Sequence, residues 1–148
     1  MMNRYLLIEE IVDTMIEKIY LPVLKCKAYT HLHGCVLIIT QLALERHLNV
    51  ELARISAILH DLATYQENCP HRIHAKRSSE LAKQILLDTN QFKEDEINCI
   101  VKMIAAHSQK DIIDDEMCEL LKDADLLTTY YTTMKEEHQT RLHKLIKK

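Results

Sequence analysis

Glycine occurs once in this chain of 148 residues, and proline twice. A sandwich or barrel has to reverse its strands every ten residues or so, using residues that tolerate positive φ or come pre-set near the turn geometry. With so few of them an all-β fold is excluded, and the chain has to be built from helices joined by short polar loops. The hydrophobic content of 47% and the charged content of 28% fit a globule with a buried core rather than a disordered chain. A chain of this length is expected to form one domain over 1–148. The fold class expected is all-α, a compact single-domain bundle of about six or seven helices.

Apolar side chains recur at helical period in seven places. The pattern predicts helices over 3–20, 28–47, 50–63, 73–88, 93–107 and 115–130, then a more polar tail helix from 130 to about 146. Leu21-Pro22 reads as the end of the first helix, Asn49 as the cap of the third, and 64–72 and 108–115 as loops. There is no glycine-rich phosphate loop, internal repeat or linker long enough to divide domains. The formal net charge of −3 gives no general field for a nucleic-acid polymer. No apolar run approaches a membrane span. Acids throughout the first helix (Glu9, Glu10, Asp13, Glu17) argue against a secretory signal. The five cysteines (26, 35, 69, 99 and 118) are odd in number and lack CxxC spacing, so a reducing cytoplasm is the expected compartment. Exposed apolar positions such as Met15, Tyr131 and Met134 leave a homodimer open.

Strong metal donors fall on the apolar stripes. His60 and Asp61 close the run that begins at Val50, and His60 stacks over Ala53, Ser56 and Ala57, a lane of small side chains. His107 continues the stripe of Ile100 and Ile104, His74 shares a face with Ser78 and Leu81, and His31 shares one with Cys35 and Leu42. Four helices thus each aim a histidine inward near an end. Asp125 lies over Leu121 and Cys118, whereas Asp123 lies over Glu119 and Glu116 and is expected to stay solvated or to support a site from its rim. A core excludes unpaired carboxylates because of their desolvation cost, and a divalent cation would resolve that conflict. A single inward histidine is more often a hydrogen-bonded core residue, and His33, His47, His71, His138 and His143 are read that way. Consecutive helical residues diverge by about 100°, so the His60-Asp61 doublet does not define a site by itself.

The order of a histidine, a His-Asp pair and a last aspartate resembles the HD-domain superfamily of metal-dependent phosphohydrolases, over about 28–130. The stretch from Glu51 to Leu62 is similar to the family's core helix, that from Ile100 to Lys110 to its later histidine segment, and Leu121-Lys-Asp-Ala-Asp-Leu126 to its closing motif. The resemblance implies that His31, His60, Asp61 and Asp125 hold one divalent ion, and that His74 and His107 join Asp61 in holding a second. Mn, Fe, Mg, Co, Ni and Zn all suit imidazole and carboxylate donors. The implied reaction is hydrolysis of a phosphate ester or anhydride of a small molecule, with a nucleotide expected, by attack of metal-activated hydroxide with Asp61 at the catalytic centre. In size and layout the chain resembles small bacterial hydrolases of dinucleoside polyphosphates. It departs from the family where Leu62-Ala63-Thr64 replaces the frequent Ile-Gly-Lys after the doublet, and where His74 lacks the usual following glycine. With that lysine gone, Lys110, Arg77 and Lys76 are the candidates for phosphate contact. Two other readings of the same donors are a di-iron oxygenase and a non-catalytic nucleotide-binding regulatory module.

Overall fold

Asn3 opens the first helix by accepting a hydrogen bond from the Leu6 amide (3.2 Å), and α1 (Arg4–Glu17) then buries Tyr5, Ile8, Val12 and Ile16 along one stripe. The structure is a computed structural model and describes residues 3–147. The second helix begins at Pro22, not near residue 28. Proline lacks an N–H, but the first turn of a helix has no partner for that N–H, so the residue read as a stop is the start of α2 (Pro22–Glu45). Asn49 caps α3 (Val50–Leu59) through the Leu52 amide (3.0 Å). There follow α4 (Leu62–Gln66), a 3-10 turn at His71–Ile73, α5 (His74–Thr89), α6 (Glu94–Ala106), α7 (Glu116–Thr133) and α8 (Gln139–Ile146). The seven expected helices are all present, with the third divided in two. Most of the span expected as a loop at 64–72 is ordered as the end of α4 and the 3-10 turn.

The long α2 runs through the middle, packed on α3 along one side and on α7 along another, while the α5–α6 hairpin covers α3. Gly34 lets α2 and α7 approach closely: a Cβ there would lie 3.3 Å from the Thr128 methyl. This approach brings His31 and Asp125, each three residues before its helix's member of that contact pair, to the same end of the bundle. Helix α1 closes over α3, and α8 leans on α7. Met15 packs against the core, whereas Tyr131 and Met134 stay exposed. No helix among the described residues is long and apolar enough to cross a membrane.

Two charged residues of α7 lie where periodicity did not put them. Asp123, expected on a solvated face, is buried, because Arg46, just past the end of α2, and Arg141 of α8 each close on it at 2.8 Å. Lys122 is fully buried, and its ammonium donates to the Ile112 carbonyl (2.5 Å), Asp114 (2.7 Å) and Glu119 (3.0 Å). Three acceptors match the three protons of an ammonium, which is what makes its burial tolerable.

Candidate metal centre

The turn at the end of α3 creates the site. His60 still has helical dihedrals, but Asp61 turns to φ −115° and ψ 15°, and α4 starts on a new axis. The break removes the divergence expected of neighbours on one helix, and His60 Nε2 comes within 3.4 Å of Asp61 Oδ2. Ser78 of α5 steadies the new helix by accepting from the Ala63 amide (3.1 Å).

Around Asp61 the donors divide into two groups. Its Oδ2 lies 3.0 Å from His31 Nε2, which is itself 3.2 Å from Asp125 Oδ1, and His60 Nε2 lies 3.2 Å from that same Asp125 oxygen. Its Oδ1 lies 3.1 Å from His107 Nε2 and 3.3 Å from His74 Nε2. Within each group the donor atoms lie inside 4.8 Å of one another. The structure therefore brings His31, His60, Asp61, Asp125, His74 and His107 together from five separate parts of the chain.

The imidazoles are held with their lone pairs turned toward the carboxylates. His60 donates from Nδ1 to the Ala57 carbonyl (2.6 Å), His107 from Nδ1 to the Ile104 carbonyl (2.7 Å), and His74 from Nδ1 to the His71 carbonyl. A neutral imidazole with its proton on Nδ1 has a bare Nε2. The Nε2 atoms of His74 and His107 then face each other at 3.1 Å, as do those of His31 and His60. Lone pairs so close to one another and to carboxylate oxygens repel unless a positive charge lies among them. This is the arrangement that fits a cation, with backbone carbonyls orienting the rings.

Without a metal, protons take that part. Burial by itself would raise the Asp61 pKa, but His60, His107 and His31 outweigh it and hold the carboxyl well below its ordinary range. Burial is likewise overcome at Asp125, where Lys110 and the imidazoles of His31 and His60 keep the carboxylate charged. Burial opposes protonation of His31 and His60, yet the two aspartates lift both above the usual histidine value. The bond to Asp61 raises His74, while burial lowers His107.

Lys110 is the cation at the edge of this centre. Its buried ammonium donates to Asp125 Oδ2 and to the His107 carbonyl, both at 2.6 Å. Arg141 of α8 holds the Lys110 carbonyl (2.9 Å) and pairs with Asp123 and Glu119 at 2.8 Å. Asp123 thus supports the site indirectly, as an anchor for Arg141. Arg77 is elsewhere: its half-exposed side chain is bound by Glu67 and Glu80. Lys76 is exposed, and neither it nor Arg77 lines the cavity over Asp61.

That cavity has a volume of about 200 Å³, and its walls include Thr64, His71, Ser108, Glu137 and His138 beside the central donors. His71 stacks on His74 with ring centres 4.6 Å apart. Sequence reasoning set His71 and His138 aside; the spacing of three between His71 and His74 was the available signal for the first. His33 bonds instead to Asp13 (2.6 Å), on the far side of α2, and ties α1 in place.

A family model for the HD domain matches residues 28–130, more than two thirds of the chain. The chain belongs to the HD-domain family, whose members are largely metal-dependent hydrolases. No curated protein and no solved structure matches it.

Proposed function

We propose that this protein is a metal-dependent phosphohydrolase of small phosphorylated molecules, with a nucleotide as the expected substrate. His31, His60, Asp61 and Asp125 would hold one divalent ion, and His74, His107 and the second oxygen of Asp61 would hold another. The observation that carries this reading is the division of the Asp61 oxygens between two sets of imidazole Nε2 atoms. When bound, such ions supply Lewis acidity toward phosphoryl oxygens and bring the pKa of a coordinated water near neutrality.

The protein's own groups do the remaining work. Asp61 fixes the relative placement of both donor sets. The ammonium of Lys110, held behind Asp125, adds a positive charge where negative charge develops on a transferring phosphoryl group. The histidine-orienting carbonyls of Ala57, Ile104 and His71 keep the rings from turning away. The small cavity limits the water around the reacting group. A buried cation beside the carboxylates favours an anionic substrate over the oxygenase alternative.

The test is metal analysis of protein purified without chelator, followed by phosphate release from a panel of esters and anhydrides with manganese present. Bound metal and phosphate release that disappear together in Asp61→Ala support the reading. Oxygen uptake by iron-loaded protein without phosphate release, or wild-type metal content and activity in Asp61→Ala, overturns it.

A further inference from the structure

The cavity over Asp61, about 200 Å³, is smaller than a typical small-molecule site of about 300–1,000 Å³. A phosphoryl group fits it, and the rest of a substrate has to lie outside. Two larger pockets adjoin it and differ in chemistry. One, about 500 Å³, shares Lys110 and His138 with the cavity and continues over Arg141 and Lys144, with Asp111, Glu119 and Asp123 among them. It is a field of fixed charges. The other, about 520 Å³, shares His31 and Thr129 and is walled by Tyr65, Thr30, Thr132 and Thr133.

Among the described residues no carboxylate lines this second pocket, and Lys27, on its exposed rim, is the one lysine or arginine there. The hydroxyls of Thr132 and Thr133 donate to the carbonyls of Thr128 and Thr129, which leaves their oxygen lone pairs able to accept from a ligand. Tyr65, half-buried, supplies an aromatic wall, and such rings stack on flat groups. We propose that this pocket, between the N-terminal half of α2, α4 and the end of α7, takes the organic part of the substrate. That part is one uncharged, ring-bearing group of nucleoside size with hydroxyl or N–H donors, and its phosphate reaches the Asp61 cavity past His31 and Thr129. The proposal rests on the hydrolase reading for the phosphate, but occupancy of the pocket does not need catalysis to be seen.

The experiment therefore has two arms. In the first, adenosine and uridine, which carry no phosphate, are titrated into isotope-labelled wild-type protein and the amide shifts are mapped. Shifts concentrated at 23–31, Tyr65 and 129–133, and lost in Thr133→Trp and Thr30→Trp, are expected. Both positions are exposed, so the indole fills the pocket without entering the core. In the second arm, the tryptophan variants raise KM for a nucleoside monophosphate about tenfold or more while kcat/KM for methyl phosphate stays within about twofold. Shifts that map to 138–145, no shifts with either nucleoside at millimolar concentration, or equal kinetic changes with both substrates overturn the proposal. If no ester is hydrolysed at all, the hydrolase reading fails, and the shift map alone still decides the pocket.

Discussion

Replacing Asp61 by asparagine separates a shared carboxylate from two independent sites, because it removes the one charged group common to both. Its two oxygens lie 3.0 and 3.1 Å from His31 and His107, one in each donor set, whereas Asp125 belongs to the first set alone and His74 to the second. A ligand at a hundred times its Kd stabilises the folded state by about 2.7 kcal/mol per site, so two filled sites give about 5 kcal/mol. In a domain of this size each kcal/mol is worth about 2–4 °C in Tm, and saturating manganese should raise the wild-type midpoint by about 10–20 °C over the chelated protein. Asp125→Asn and His74→Ala should each keep about half of that rise. Asp61→Asn should keep almost none. Thermal melts of every variant with chelator and with manganese give the rise relative to that variant's own metal-free state, so a general loss of stability does not enter. An Asp61→Asn rise as large as that of Asp125→Asn would refute the bridging role.

Four further outcomes follow from the geometry. Lys110→Met should lower kcat by about a hundredfold, measured by phosphate release, since it removes a charge from beside the reacting group. Arg77→Ala and Lys76→Ala should leave kcat/KM within about twofold, as their side chains lie outside the cavity; a large loss in either would return them to the site. Lys122→Met strands Asp114, Glu119 and the Ile112 carbonyl, and should destabilise by about 3 kcal/mol, a fall of about 6–12 °C in Tm. Asp115 caps α7 through the Cys118 amide (3.0 Å), and its bond to Lys102, with that cap, lowers its pKa from 3.8 to about 2. A depressed carboxyl stabilises above its unfolded pKa and loses that contribution as pH falls through the folded value. Asp115→Ala should therefore cost about 1 kcal/mol at neutral pH in urea melts, with the difference from wild type shrinking as pH falls from 3.8 through about 2.

Helical periodicity was a good guide to which side chains converge inside the bundle, for a simple reason. A side chain on an apolar stripe has to face the core, so His31, His60, His74, His107 and Asp125 were legible one helix at a time, and the order of motifs linked them. The break at Asp61 was not legible, because Leu62 and Ala63 continue the apolar run on either reading while the backbone changes axis beneath them. The burial of Asp123 depends on Arg46 and Arg141, partners distant in sequence, and no local pattern reports such pairs. Lys122 was missed likewise, since its acceptors come partly from the loop before α7. Lys76 and Arg77 follow His74 closely in sequence, but Glu67 and Glu80 give Arg77 carboxylate partners on the outer surface.

The donors run from residue 31 to residue 125, and Arg141, in the last helix, fixes the backbone of Lys110. During synthesis His31, His60 and His74 emerge well before the second carboxylate. An ion captured by the early segments would lack one of the two carboxylates of the first donor group until α7 docks, and the lysine behind that carboxylate is not braced until α8 arrives. In the proposed centre, completion of the cation's donor set is thus coupled to the docking of α7.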